Sequence, residues 1–263
     1  MTDPKSPALK RKFNKKKYDE SVTEALNLIK SLNHPAMICM QDAKLKRGLS
    51  ERFLIPAREH NSLEKIAQGT PHEEFKSLNR KMMRHVAQCL LRAVAYLHEN
   101  QLYHGDLSPR NILIDCLSYD LRMLTRKSKI LIADSGSVTA AHRRHAPCGD
   151  LRFQSPESVI IQSNYASREH DVWMVGAALI FLANGKQIVN YESRFAHDGA
   201  SYYYIDRFGR KTNDVSEMEM RSFVRRSINR ALDDKSGYTG SVTRCAAKFL
   251  RFYPEDRKLL GKH

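Results

Sequence analysis

The sequence predicts an α+β fold in which helices and short strands share one core. The length of 263 residues suits one large lobe or two small lobes that share a cleft, and a hydrophobic content of 41% is enough for a core. Apolar residues recur with a helical period between residues 79 and 100. Short apolar runs at 112–114 and 130–133 are typical of strands.

Charge and cysteine usage limit the classes of protein to which the chain can belong. The 44 Lys and Arg against 29 Asp and Glu give a net charge of +15, which favours acidic protein partners and non-specific attraction to nucleic acid. The chain has no zinc-finger spacing and no RNA-recognition signature, so nucleic acid is not its predicted primary ligand. Five scattered cysteines without a Cys-x-x-Cys pair indicate a reducing compartment.

Targeting signals in the sequence are few. The first residues lack the apolar core of a secretory signal, and no apolar run approaches the roughly 18–20 residues that span a bilayer. We therefore expect an intracellular protein with no membrane segment. The basic cluster from Lys10 to Lys17 resembles a nuclear-localisation patch, although such runs are more often only solvated.

Three oxygen-bearing side chains flank the two predicted strands. Asp106 and Asn111 lie five residues apart before the first strand, and Asp134 follows the second. A hairpin of these strands could bring all three to one point, where their oxygens suit a hard divalent cation that also contacts phosphate. Asp106 would then be free to orient a hydroxyl and to accept its proton.

The motif His104-Gly105-Asp106-Leu107 with Asn111, followed by Asp134-Ser135-Gly136, resembles the catalytic loop and metal-binding triplet of the protein kinase superfamily. This resemblance implies a two-lobed fold with a reduced β N-lobe at residues 1–57 and a mainly helical C-lobe at residues 58–263. It also implies ATP and Mg²⁺ as cofactors, with Asn111 and Asp134 as metal ligands and Asp106 as the base.

The resemblance implies further site residues in the N-terminal part. A third-strand lysine that grips the α- and β-phosphates would be Lys10, with Lys12 as the alternative. The apolar period of residues 18–32 predicts a helix that offers a glutamate to this lysine, for which Glu24 is preferred over Glu20.

Residues 36–43 and 52–57 are predicted strands. By the same resemblance, the second strand leads into the adenine-binding hinge and then into a helix that starts at Asn61-Ser62-Leu63. Ile55 stands at the gatekeeper position, and Ala57 lies in the hinge.

The sequence departs from the family at its glycine-rich flap. It has no glycine before residue 48, so the backbone N–H groups that cover the phosphates in other kinases are missing. Two alternatives follow: a minimal kinase with a truncated N-lobe, or a protein whose phosphate transfer is weak or lost. Arg110 is positioned as in many tyrosine kinases and could supply the charge that a lysine at the Ser108 position usually gives.

Motifs in the C-terminal half complete the resemblance. Residues 149–157, from Gly149 to Glu157, resemble the end of a serine/threonine-kinase activation segment. The run that starts at Asp171 resembles the central helix whose aspartate binds the catalytic-loop backbone. Arg257 is the expected ion-pair partner of Glu157, and Arg110 is the feature that instead favours a tyrosine substrate.

The sequence thus predicts an ATP- and Mg²⁺-dependent protein kinase, more serine/threonine-like than tyrosine-like, with a protein as its substrate. The alternative is a pseudokinase that keeps the fold as a binding module.

Overall fold

A computed structural model describes residues 60–69, 80–115, 128–133, 138–140, 149–160, 167–185, 187–189, 191, 195–197, 202–205, 211–212, 216–233 and 240–258. Its helices are α1 (Leu63–Gly69), α2 (Arg80–Glu99), α3 (Pro156–Ile160), α4 (Arg168–Asn184), α5 (Glu217–Leu232) and α6 (Gly240–Ala247), with 3₁₀ turns at Leu151–Phe153 and Pro254–Asp256. Its strands are β1 (His60–Ser62), β2 (Leu102–Tyr103), β3 (Ile112–Asp115), β4 (Ile130–Ile132), β5 (Thr139–Ala140), β6 (Phe195–His197), β7 (Tyr202–Ile205) and β8 (Lys211–Thr212).

Helix α4 is the centre of the core. Every residue from His170 to Asn184 is buried, as expected for a helix that is apolar on all sides. Its first turn is capped by Ser167, whose side chain accepts a hydrogen bond from the His170 N–H. It ends at Gly185 with φ of 71°, a left-handed conformation that favours glycine. The helix predicted from the run that starts at Asp171 is confirmed.

Helix α2 packs against α4 through one apolar face. The predicted helix at residues 79–100 is confirmed by the observed Arg80–Glu99. Its buried stripe consists of Met83, Val86, Leu90, Ala93, Val94 and Leu97. Arg84, Arg92 and Glu99 on the other face are exposed. Among the helices in the described ranges, we find none with the length and apolar character that a membrane crossing needs.

A small antiparallel sheet in the order β1-β3-β4 lies beside α2. The two predicted strands are confirmed, and they pair with each other so that Ile112 faces Ile132 and Ile114 faces Ile130. The helix predicted to start at Asn61 starts instead at Leu63, because Asn61 and Ser62 pair with β3. Ser62 then caps α1 by accepting a hydrogen bond from the Lys65 N–H at 3.2 Å.

A second sheet, in the order β6-β7-β8, occupies part of residues 195–212. This sheet was not predicted, because the tyrosines and arginines in this stretch do not alternate clearly with apolar residues. Strand β7, which contains Tyr202, Tyr203 and Tyr204, pairs antiparallel with both neighbours.

The predicted N-lobe lies outside the described residues. This applies to the helix at 18–32, to the strands at 36–43 and 52–57, and to the boundary between residues 57 and 58. These assignments stay predictions.

Candidate active site

The loop at residues 104–111 connects β2 with β3 and is buried at every position except Arg110. Such a loop needs partners for its backbone polar groups. Asp171 in the first turn of α4 provides two of them, because its Oδ2 accepts from the His104 N–H at 2.7 Å and its Oδ1 from the Gly105 N–H at 2.8 Å. The expected bond between this aspartate and the loop is confirmed. Gly105 has a φ of 74°, a conformation that favours glycine.

Asp171 is a fully buried carboxylate that stays ionised. Burial by itself would raise its pKa, but the His98 hydrogen bond, the electrostatic interactions with the His98 and His104 rings and the Gly105 N–H outweigh it, so the pKa is lowered. His98 is also fully buried, and its Nε2 lies 3.0 Å from Asp171 Oδ2. The role of His98 is therefore to hold this carboxylate.

His104 connects the loop with the end of β4. Its Nε2 lies 3.1 Å from the Ala133 carbonyl oxygen, and its Nδ1 accepts from the Asp106 N–H at 3.3 Å. The Ala133 N–H in turn donates to the Asn111 carbonyl at 2.8 Å. Both backbone groups of Ala133 are thus bonded to the loop. These bonds fix the end of β4 at the residue that directly precedes Asp134 in the sequence.

Asp106 and Asn111 are held together on the 104–111 loop. The Asn111 side-chain N–H donates to the Asp106 backbone carbonyl at 2.9 Å, and the Asn111 backbone N–H donates to the Ser108 carbonyl at 2.8 Å. The side-chain bond uses the amide nitrogen of Asn111, so the amide oxygen is the atom left to bind a cation. Asn111 therefore fits the role of a magnesium ligand.

The Asp106 carboxylate lies in a narrow space between Arg110 and Gly149. Arg110 is half-exposed, with its Nη2 3.8 Å from Asp106 Oδ2. Gly149 has a φ of 110°, and a Cβ at that position would lie 2.0 Å from Asp106 Oδ1. Only glycine allows the chain to pass so close to this carboxylate.

Residues 149–157 form a segment that is anchored on several sides. Phe153 is buried and makes an edge-to-face contact with Phe181 of α4 at 5.8 Å between centroids. The predicted ion pair is confirmed, because Arg257 Nη1 and Nη2 each lie 2.6 Å from a different oxygen of Glu157. Burial would raise the pKa of Glu157, but the hydrogen bonds and charge of Arg257 outweigh it and the pKa is lowered.

An ion network in this segment was not predicted. Arg152 donates to Glu64 Oε1 on α1 at 2.6 Å and also to both carboxylate oxygens of Asp150. Burial would raise the pKa of Asp150, but the bonds from Arg152 outweigh it and the pKa is lowered. Residues 64 and 152 are 88 positions apart, so no local pattern could have paired them.

Of the predicted site residues, Asp106, Arg110 and Asn111 come together in the structure. Lys10, Glu24, Ile55, Ala57 and Asp134 lie outside the described residues, and their roles stay predictions. Within the described ranges no cluster of three or more His, Cys, Asp or Glu side chains could hold a metal ion.

Comparison with known proteins gives one consistent result. The sequence profile described as "Protein kinase domain" matches residues 5–244. The chain is 28% identical over 181 residues to human mitogen-activated protein kinase kinase kinase 1, an alignment that covers 68% of this chain and 11% of that protein.

Two plant proteins have a similar sequence identity to this chain. CBL-interacting protein kinase 21 of Oryza sativa subsp. japonica is 27% identical over 175 residues, with 64% of this chain and 30% of that protein covered. Serine/threonine-protein kinase AFC1 of Arabidopsis thaliana is 28% identical over 142 residues, an alignment that covers 47% of this chain and 30% of that protein. The chain therefore spans about a tenth to a third of the length of these relatives.

Proposed function

Because the chain belongs to the protein kinase family, we propose that it transfers the γ-phosphate of ATP to a serine or threonine hydroxyl of a protein, in a magnesium-dependent reaction. The observation that carries this proposal is the construction of the 104–111 loop. Asp106 and Asn111 are held on it by buried hydrogen bonds, and the residue before Asp134 is bonded to the same loop through both backbone groups.

Each residue of the loop has a distinct role in the proposed reaction. Asp106 orients the acceptor hydroxyl and takes its proton, while the guanidinium of Arg110 keeps positive charge beside the reacting groups. Asn111 and Asp134 are the residues that would hold Mg²⁺, which when bound neutralises charge on the transferred phosphate. Lys10 or Lys12, with Glu24, would hold the remaining phosphates, and Ile55 and Ala57 would line the adenine site.

Two features support serine or threonine as the acceptor. Residues 149–157 keep the spacing of a serine/threonine-kinase activation segment, and one relative, AFC1, is named as a serine/threonine-protein kinase. Arg110 is the feature that favours tyrosine. Phosphoamino-acid analysis of labelled substrate separates these two acceptors.

The second candidate function is a pseudokinase that binds a partner without transferring phosphate. The absence of glycine before residue 48 favours it, because this stretch lacks the glycine-rich motif whose backbone covers the phosphates in other kinases. Catalysis by kinases depends largely on positioning and charge neutralisation, so loss of the flap need not abolish the reaction.

The deciding experiment is transfer of radiolabel from [γ-³²P]ATP to a mixture of acidic and basic acceptor proteins. We expect label on serine and threonine with the wild type and Mg²⁺, and only background with EDTA or with the Asp134→Ala variant. Binding of ATP and Mg²⁺ is followed in parallel by thermal shift. Binding without transfer would favour the pseudokinase, and equal labelling by wild type and variant would show that the site is wrongly assigned.

Gly149→Ala should reduce phosphate transfer by about 10- to 100-fold, because the new Cβ displaces the Asp106 carboxylate and small displacements of reacting groups are costly. The positive φ should add about 1–3 kcal/mol of strain. Transfer rates and urea unfolding measure the two effects separately.

Gly185→Ala is the matched control, because it also places a side chain at positive φ but at the end of α4, where the glycine serves as a helix cap. This variant should lose stability and keep its transfer rate per folded molecule. If both variants lose transfer equally, contact with Asp106 is not the cause.

A further inference from the structure

The first turn of α4 contacts three separate parts of the site through three consecutive residues. The Glu169 carbonyl accepts from Arg257 Nη1 at 3.0 Å, and Asp171 binds the 104–111 loop. Between them, His170 Nδ1 lies 2.7 Å from Ser155 Oγ in the 149–157 segment. The bond between His170 and Ser155 has no part in the proposed chemistry.

Both members of this pair are deeply buried, with Ser155 at 0% and His170 at 1% exposure. Burial lowers the pKa of His170, although Asp171, Glu157 and the Gly105 backbone favour its protonated form, so the ring is neutral at pH 7. A neutral imidazole has one donor and one acceptor nitrogen. Nδ1 and the Ser155 hydroxyl share one hydrogen bond, in which the hydroxyl donates when the ring proton is on Nε2 and accepts when it is on Nδ1.

The His170 ring lies beside Ser155, and the next residue, Asp171, binds the N–H of Gly105, which precedes Asp106. Three residues at alternate positions of the segment contact other parts of the protein: Phe153 packs on Phe181, Ser155 bonds to His170, and Glu157 pairs with Arg257. The same segment begins at Gly149, which contacts the Asp106 carboxylate. A shift at Ser155 would therefore change the spacing between the segment and Asp106.

We propose that His170 is a positioning residue that, through its hydrogen bond to Ser155, sets the 149–157 segment against Asp106 for the acceptor protein. This inference rests on the proposed phosphate transfer. His170 is expected to affect acceptor binding and the rate of phosphate transfer but not the binding of ATP.

The test compares Ser155→Ala and His170→Leu with the wild type. Each variant should raise the KM for the acceptor protein or lower kcat by about 5- to 30-fold, the effect of one lost buried hydrogen bond, while the Kd for ATP changes less than about twofold. The double variant should be no worse than His170→Leu, because both changes remove the same bond. His170→Asn should recover part of the loss, since its amide oxygen can accept from Ser155.

Ser158→Ala is the matched control in the same segment. Its hydroxyl bonds to Gln154 Oε1 at 3.0 Å and to the Ser155 carbonyl at 2.8 Å. It also lies 3.4 Å from the Ser155 hydroxyl, so the variant tests a neighbouring bond of Ser155 while the His170–Ser155 bond is kept. Its effect on acceptor KM and kcat should be clearly smaller than that of Ser155→Ala. Equal effects of these two variants, or a change only in the free energy of unfolding, would overturn the positioning role.

Hydrogen exchange gives a readout that does not depend on activity. The amides of residues 150–154 should exchange faster in Ser155→Ala than in the wild type, while those of α2 stay unchanged. If the wild type transfers no phosphate, the proposed function fails. Hydrogen exchange alone then decides whether the His170–Ser155 bond holds the 149–157 segment in place. Unchanged exchange at residues 150–154 would overturn it.

Discussion

Asp106→Asn should lower the rate of phosphate transfer by about 100- to 10,000-fold, the usual contribution of a general base. The amide has the size of the carboxylate but cannot accept the proton of the acceptor hydroxyl. The hydrogen bonds that hold the loop use the backbone of Asp106, so we expect the fold to be preserved. Single-turnover transfer of radiolabel at saturating ATP measures the effect.

Nucleotide binding is the control for this substitution. Asn111 is unchanged in the variant, and so are the residues proposed to hold the phosphates, so the Kd for ATP with Mg²⁺ should stay within about twofold of the wild type. A variant that labels acceptor at the wild-type rate would remove Asp106 from the chemistry.

Asp171→Ala should destabilise the protein by on the order of 4 kcal/mol, because two buried N–H donors lose their acceptor at about 1–3 kcal/mol each. Phosphate transfer should fall along with it, since Asp106 lies on the loop that Asp171 holds. Urea unfolding measures the first effect, and transfer per folded molecule measures the second.

Asp171→Asn is the matched variant for this prediction. Its amide oxygen can accept from one of the two N–H groups, so its loss of stability should lie between those of the wild type and of Asp171→Ala. A stability of Asp171→Ala equal to that of the wild type would show that the loop is held by other contacts.

The pH dependence of the unfolding free energy of the wild type and of Asp171→Ala gives a second check. Since the pKa of Asp171 is lowered in the folded state, its stabilisation is complete above the ordinary aspartate pKa of about 3.9 and is lost as pH falls through the folded value. The difference in unfolding free energy between wild type and Asp171→Ala should therefore be largest near pH 7 and shrink below about pH 4.

Local patterns predicted the parts of the structure that depend on neighbouring residues. The helical period of residues 79–100 and the apolar strands on either side of the loop were found because their signals lie within a few positions of each other. The bond from Asp171 to the loop and the ion pair of Glu157 with Arg257 were expected from resemblance, since both motifs are complete in the sequence.

The parts that were missed depend on contacts between distant residues. No local pattern in the sequence indicates that Arg152 binds Glu64 or that Ser155 binds His170. Only the folded chain brings the two members of each pair together. The β6-β7-β8 sheet was missed because its strands are two to four residues long and have no clear alternation.

The ion pair between Glu157 and Arg257 joins residues that are 100 positions apart. During translation, at about 5–20 residues per second, the ribosome needs roughly 5–20 s to pass from one to the other. In that interval the nascent segment around Glu157 lacks its cation. The 149–157 segment should therefore reach its anchored position only after Arg257 has left the ribosome.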